Sequence, residues 1–87
     1  MAVVFMYSTP WCPFCIRAKR LLDDKGVTYE DVDVAAQPAR RGEMIEKSGR
    51  TTVPQIWIND THVGGCDELF ALQRQGKLDE LLESGAE

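Results

Sequence analysis

The sequence predicts an α/β fold in which a four-stranded mixed sheet is flanked by helices in the order β-α-β-α-β-β-α. Three observations carry this prediction. A continuous apolar run opens the chain, amphipathic helical segments separate the strand-like ones, and an Asn-Asp pair between the last two strand-like segments suits a hairpin. Because 87 residues leave room for one core, residues 1–87 are expected to form a single domain.

The first strand and helix follow from the opening run and a proline. Residues 2–7 are apolar and partly β-branched, as expected of a buried central strand, which we place at 3–7. Pro13 suits the first turn of a helix that Gly26 ends. Apolar side chains at helical spacing predict the inward face of this helix: Phe14, Ala18, Leu21 and Leu22.

The middle of the chain predicts an edge strand and a second helix. Residues 27–34 mix β-branched and acidic side chains, which is typical of an exposed edge strand. The helix is expected at about Pro38–Ser48, ended by Gly49, with Met44 and Ile45 facing inward.

A hairpin and two further helices complete the prediction. Gln55–Ile58 is typical of a short buried strand, Asn59 and Asp60 tolerate the positive φ of a tight turn, and residues 61–63 form the returning strand. A third helix is expected after the glycine pair that follows. A last short helix is indicated by three leucines: Leu78, Leu81 and Leu82.

The composition of the chain limits the classes of binding partner that are expected. A formal charge of −4 and a pI near 4.9 give no general attraction to nucleic acid or an anionic membrane, so neither is expected as a partner. The opening run is far shorter than the roughly 20 residues of a membrane span, and no basic residue precedes it, so a cytoplasmic location is expected. Three cysteines cannot all pair within the chain, which favours a redox or metal role over a disulfide framework.

The motif Cys12-Pro13-Phe14-Cys15 stands where the first strand gives way to a helix. The N–H groups and macrodipole at a helix N-terminus stabilise an anion, so Cys12 is the expected thiolate nucleophile. Cys15, one turn along, is expected to be more buried and to resolve a mixed disulfide formed at Cys12. The alternatives are an inert pair and zinc binding. One C-x-x-C with a distant third cysteine and a single histidine is a poor ligand set, so no metal site is expected.

Thr52-Val53-Pro54 precedes the third strand. If the bond before Pro54 is cis, the Val53 backbone turns outward and can pair with an extended peptide beside the thiolate. An ordinary trans proline that begins the strand is the alternative, and on the residues alone it is the commoner case.

Gly64-Gly65-Cys66-Asp67 forms the third motif. Its glycines permit close backbone approach, and the N–H groups that open the next helix suit a carboxylate. Asp67 could cap that helix and bind a ligand ammonium; a plain turn and N-cap is the alternative. Cys66 is either a third redox thiol or a small, partly buried side chain.

In combination, the three motifs resemble the glutaredoxin family, most closely its short bacterial dithiol type, over residues 3–82. The resemblance implies a thioredoxin-like fold with a cis bond before Pro54. It implies a monomer without a tightly bound cofactor that reduces protein disulfides and protein–glutathione mixed disulfides, with glutathione as co-substrate.

The resemblance also implies how glutathione would lie. Its backbone would run along Val53, its γ-glutamyl carboxylate would meet the amides of Cys66 and Asp67, and its sulfur would reach Cys12. The binding residues implied are Phe14, Thr52, Val53, Pro54, Gly65, Cys66 and Asp67.

Three positions depart from the family pattern. Phe14 replaces the usual Tyr and loses its hydroxyl, and Trp11 is more typical of thioredoxins. Thr9 stands where the family usually has a Lys that favours the thiolate, so the helix terminus and Arg40 or Arg41 would have to compensate.

Other functions fit parts of the pattern. Trp11 and the missing Lys would suit a glutathione-independent, thioredoxin-like reductase served by a flavoprotein. A dimer that carries an iron–sulfur cluster through Cys12 and glutathione is a second alternative. Cluster-binding family members typically have a single active-site cysteine or a less rigid residue than proline, so Pro13 and Cys15 argue against it. A non-catalytic binding module is disfavoured by the intact cysteine pair.

Overall fold

Strands and helices alternate along residues 3–83, the part of the chain that the structure, a computed structural model, describes. Their bounds are β1 Val4–Ser8, α1 Pro13–Asp24, β2 Glu30–Asp33, α2 Pro38–Ser48, β3 Gln55–Ile58, β4 Thr61–Gly64, α3 Cys66–Arg74 and α4 Lys77–Glu83.

The strands form one mixed sheet in the order β2-β1-β3-β4. β1 pairs parallel with β2 and antiparallel with β3, and β3 pairs antiparallel with β4. The predicted four-stranded mixed sheet with flanking helices is therefore confirmed. β1 lies between β2 and β3. The chain therefore leaves the middle of the sheet at the end of β1 and enters α1 after a short loop at residues 9–12.

Each face of the sheet is covered by apolar side chains. On one face, side chains of β1 and β3 pack with residues of α1, α3 and α4; this cluster comprises Val4, Met6, Ala18, Leu22, Ile56, Ile58, Leu69 and Leu78. On the other face a second cluster includes Met44 of α2 and comprises Tyr7, Val32, Val34 and Met44. Burial from both sides explains why β1 is continuously apolar rather than alternating.

The first two strands differ from the prediction at their ends. β1 is shifted by one residue, because Val3 is 61% exposed while Ser8 still pairs with Asp33 of β2. The edge strand is four residues long instead of spanning 27–34. The start of the predicted range instead forms the end of helix α1. Gly26 adopts φ +71°, and the Val27 N–H donates a hydrogen bond to the carbonyl of Leu22. The predicted run began at Ala2, which lies outside the described residues.

Two predicted inward side chains are wrong. Phe14 is 51% exposed, because the buried stripe of α1 runs through Cys15, Ala18 and Leu22, and Phe14 is rotated off this stripe. In α2 the bounds are as predicted and Met44 is buried, but Ile45 is 37% exposed. The apolar period of a helix leaves its rotation on the sheet open, and in both helices these side chains lie at the margin of the buried stripe.

The hairpin between β3 and β4 is confirmed. Asn59 and Asp60 adopt φ +51° and +68°, the left-handed values that a tight turn between strands requires. β4 extends one residue further than predicted, to Gly64, so the strand leads almost directly into α3. The N-terminus of α3 thereby lies at the same end of the sheet as the C-terminal end of β1, with β3 between the two strands.

Candidate active site

Cys12 is the N-cap of α1 and is partly exposed. Its sulfur lies 3.9 Å from the carbonyl oxygen of Val53, and its carbonyl accepts the first helical bond from the Ile16 N–H at 3.0 Å. The sulfur thus sits at the positive end of the helix macrodipole, where a thiolate is stabilised. The predicted position of Cys12 at a strand-to-helix junction is confirmed.

Cys15 is completely buried, one turn further along α1. Burial is the largest cause that raises the pKa of its thiol to about 12. A backbone hydrogen bond with Thr9 opposes this, while the hydrogen bond and charge of Cys12 raise the pKa further. All three cysteines are free thiols. The arrangement therefore has an accessible thiol in contact with a buried, protonated one.

The Val53–Pro54 peptide bond is cis, as the resemblance implies. Pro54 is buried, and the loop before it is held by Gln55, whose Nε2 donates to the Thr52 carbonyl at 3.0 Å and to its hydroxyl at 3.3 Å. Gln55 is itself buried and bonded to the ring of His62 at 2.8 Å. These hydrogen bonds hold Thr52 and Val53 beside the Cys12 sulfur.

A groove of about 270 Å³ opens next to Cys12. It is lined by Phe14, Arg50, Thr52, Val53, Pro54, Gly65, Cys66, Asp67 and Glu68. The structure thus brings together every residue that the resemblance marked for glutathione, from three separate stretches of chain. Exposure of Phe14 follows from this position, since its ring forms a wall of the groove rather than part of the core.

The two glycines permit α3 to approach the Pro54 loop. Gly64 adopts φ +113°, and a Cβ there would lie 2.9 Å from the Oε1 of Glu68. A Cβ on Gly65 would lie 3.3 Å from the Pro54 carbonyl oxygen. At Gly64 a larger residue would be strained by the positive φ and would displace the Glu68 carboxylate, whereas at Gly65 it would press the start of α3 against the Pro54 carbonyl.

The N-terminus of α3 is capped differently from the prediction. Gly65, and not Asp67, is the N-cap residue, and Oε1 of Glu68 accepts the Gly65 N–H at 2.7 Å. Arg50 approaches the same oxygen at 3.4 Å. Asp67 is left exposed at the groove, free of the capping role. A glutamate three residues after an N-cap is a recognised capping signal, so the role of Glu68 could be found from the sequence. No local sequence signal indicates that Arg50 joins it.

We expect Glu68→Ala to lower the free energy of unfolding by about 0.5 to 1 kcal/mol at pH 7, because the Gly65 N–H loses its acceptor. The Gly65 N–H lowers the pKa of Glu68, and Arg50 helps. Its contribution is therefore present above the ordinary carboxyl pKa of 4.5 and is lost as the pH falls through the lowered value. Chemical denaturation should show the gap to wild type closing below pH 4.5.

The control for this measurement is Glu46→Ala, which removes an exposed glutamate of α2 that makes no ion pair within residues 3–83. A loss of stability in this control equal to that of Glu68→Ala, or a gap that does not depend on pH, would contradict the capping role.

The two arginines expected to compensate for the missing Lys do not lie at Cys12. Arg40 pairs with Glu43 at 3.1 Å, and Arg41 donates to the Thr51 carbonyl at 2.7 Å. Neither contacts Cys12 among the described residues, so their compensating role is not supported. Thr9 is buried, and its carbonyl accepts the Cys12 N–H at 3.5 Å. Among the described residues, the N-terminus of α1 is the positive end that lies at Cys12.

Cys66 is buried between α1 and α3, with its backbone at the groove. Burial raises the pKa of its thiol, and the charge of Asp67 adds to this. A protonated, inaccessible thiol fits the small buried side chain better than the third redox thiol. Trp11, by contrast, is 70% exposed directly before the nucleophile.

Within residues 3–83, no group of three or more His, Cys, Asp or Glu side chains is arranged to hold a metal ion. No helix in that part of the chain is long and apolar enough to cross a membrane.

A partly exposed cysteine at a helix N-terminus, backed by a buried one in a thioredoxin-like fold, defines a thiol–disulfide oxidoreductase. The family model for glutaredoxin matches residues 4–63. A glutaredoxin of Pseudomonas aeruginosa is 56% identical over 84 residues, which cover 97% of this chain and all of that protein. Glutaredoxin 3 of Escherichia coli K12 is 52% identical over 83 residues, covering 95% and 100%. The chain belongs to the glutaredoxin family.

Solved structures agree with this assignment. The solution structure of a glutaredoxin from Brucella melitensis is similar with a TM-score of 0.85 and 52% identity, covering 100% of this chain and 95% of that one. A crystal structure of a buckwheat glutaredoxin–glutathione complex has a TM-score of 0.88 and 29% identity, covering 95% and 78%.

Proposed function

We propose that this chain uses Cys12 and Cys15 to reduce protein disulfides and protein–glutathione mixed disulfides with electrons from glutathione. The observation that carries the proposal is the groove beside Cys12, which gathers every residue implied for glutathione binding. The buckwheat relative, solved in complex with glutathione, supports it.

In this proposal glutathione lies extended across the groove. Its cysteine backbone pairs with the backbone of Val53, which places its sulfur at Cys12, 3.9 Å from the Val53 carbonyl. Its γ-glutamyl carboxylate accepts the N–H groups of Cys66 and Asp67 at the start of α3. The ammonium on the same carbon is received by the exposed carboxylate of Asp67, and Arg50 adds positive charge at this end.

Removal of glutathione from a protein needs one thiol. The Cys12 thiolate attacks the glutathione sulfur, the protein–glutathione S–S bond breaks, and the protein leaves as a thiolate that takes a proton from water. A glutathione thiolate then attacks the glutathione sulfur held on Cys12. Oxidised glutathione leaves, and the Cys12 thiolate is restored.

Reduction of a protein disulfide needs both thiols. Cys12 attacks one sulfur and forms a mixed disulfide, which releases the first protein thiol. Cys15 gives up its proton, attacks the Cys12 sulfur and releases the second protein thiol. Two glutathione molecules then reduce the Cys12–Cys15 disulfide and leave as oxidised glutathione, so two electrons and two protons reach the substrate.

The proposal includes a setting for this chemistry. Electrons arrive from free glutathione as co-substrate, and the chain acts as a monomer with no tightly bound cofactor and no nucleic-acid or membrane partner. Glutathione must be kept reduced where the protein works, which places it in the cytoplasm.

The direct test is a coupled assay on glutathionylated protein. We expect turnover with glutathione, glutathione reductase and NADPH, and little with a thioredoxin-reducing flavoprotein in their place. Turnover that needs the flavoprotein and ignores glutathione would establish the thioredoxin-like alternative, to which the exposed Trp11 would belong.

Asp67→Ala extends the test to the groove. We expect kcat/KM for a glutathione mixed disulfide to fall several-fold, because a partly exposed ion pair contributes up to about 1 kcal/mol. Oxidation of the reduced enzyme by a small disulfide without a γ-glutamyl group should change little. Asp24→Ala, which removes an exposed aspartate at the end of α1 far from Cys12, is the matched control. Equal losses on both substrates would contradict the role of Asp67.

A further inference from the structure

A second cleft lies on the other side of Cys66 and Asp67, away from the Pro54 loop. It has a volume of about 350 Å³. Its lining comes from α1 and α3: Arg17, Cys66, Asp67, Phe70 and Arg74. Because Cys66 and Asp67 also line the groove beside Cys12, the two cavities meet at the start of α3. We call this second cavity the Arg17–Arg74 cleft.

The Arg17–Arg74 cleft brings two cations of the chain to one cavity. Arg17 and Arg74 are exposed on two different helices, and neither makes an ion pair within residues 3–83. Elsewhere in that part of the chain several cations are paired with carboxylates: Lys19, Lys25, Arg40, Lys47 and Arg50. In a chain of net charge −4, two unpaired arginines thus face one cavity. Asp67, its one carboxylate, is assigned to glutathione in the proposed function.

The cleft is close to the reacting sulfur. Cys66 and Asp67 line both cavities, and Val53 on the wall of the groove lies with its carbonyl oxygen 3.9 Å from the Cys12 sulfur. When Cys12 attacks a glutathionylated protein, the glutathione part occupies the groove, so the protein that carries it must lie outside the groove. The adjoining open surface is the Arg17–Arg74 cleft, where guanidinium groups can take carboxylates in bidentate pairs and the ring of Phe70 can take an aliphatic stem.

We infer that the Arg17–Arg74 cleft binds an acidic segment of the protein substrate that flanks its glutathionylated cysteine. The inference rests on the proposed function. It names Arg17 and Arg74 as residues that select among substrate proteins rather than among small thiols.

The experiment uses three glutathionylated peptides of equal length, in which the cysteine is flanked by two Glu, two Gln or two Lys residues. At low ionic strength we expect kcat/KM for the Glu peptide to exceed that for the Gln peptide by about 3- to 10-fold, the range that two exposed ion pairs supply. The preference should shrink in about 0.5 M salt, where exposed charges are screened.

The ratio of Glu to Gln peptide within each variant identifies the residues responsible. Arg17→Gln and Arg74→Gln should each lower it by about 2- to 3-fold, and Arg17→Glu should shift the preference toward the Lys peptide. Arg20→Gln is the matched control, because it removes the same charge from the exposed side of α1 outside the cleft. It should keep the wild-type ratio.

Two results would overturn the inference: equal kcat/KM of the wild type for the Glu and Gln peptides, or a fall in the ratio with Arg20→Gln as large as that with Arg17→Gln. In both cases the Gln peptide is still turned over, so the proposed function stands. No turnover of any peptide by wild type would refute the proposed function, and the role of the cleft with it.

Discussion

Cys12→Ser is expected to abolish turnover of glutathione mixed disulfides and of protein disulfides, by roughly a thousandfold or more. Disulfide exchange begins with a thiolate, and a serine hydroxyl at the same N-cap is neither ionised at neutral pH nor able to form the mixed disulfide. The measurement is the glutathione-coupled assay on both substrates, with a melting curve to show that the variant folds.

Substantial residual activity in Cys12→Ser would assign the nucleophile to another thiol. Cys66 would then be the candidate, although it is buried and its pKa is raised by that burial. Alkylation of the reduced wild type with iodoacetamide, followed by peptide mass mapping, provides an independent check. We expect the label on Cys12 first.

Cys15→Ser is expected to separate the two reactions. Reduction of protein disulfides should fall by roughly a hundredfold, because attack by a neighbouring thiol has a far higher effective concentration than millimolar glutathione. Removal of glutathione from proteins should stay within a few-fold of wild type, since that cycle uses Cys12 alone. The paired assays measure the split directly.

The mixed disulfide should accumulate in Cys15→Ser, because its resolving thiol is gone. Mass spectrometry of the variant after exposure to a disulfide-containing protein should show that protein attached to Cys12. Unchanged protein disulfide reduction, with no trapped adduct, would show that Cys15 is not the resolving thiol.

The reacting end of the site was predictable because it depends on short stretches of chain. A strand that ends in a loop and a helix opened by Pro13 place Cys12 at an N-cap whatever the rest of the fold does. The cis bond before Pro54 is different, since the residues alone favour the trans form and only the family resemblance indicated it.

The errors arose where the outcome depends on how elements meet. Phe14 and Ile45 were assigned inward because helical spacing gives a period, but the rotation of a helix on its sheet decides which stripe is buried. Arg50 joins the groove because the loop before Pro54 folds against α3, a contact between residues 18 positions apart in sequence. Arg40, which was expected to compensate for the missing Lys, instead forms an ion pair with the carboxylate of Glu43.

The contact between the two active-site thiols couples the ionisation of Cys15 to the state of Cys12. While Cys12 is free, its hydrogen bond and charge help to keep the Cys15 proton in place. Once Cys12 is tied up in a mixed disulfide, its sulfur carries no charge, and only burial still opposes ionisation against the pull of Thr9 and Lys19. Capture of a substrate by Cys12 thereby favours ionisation of Cys15, so the resolving thiol becomes reactive only once there is a mixed disulfide for it to attack.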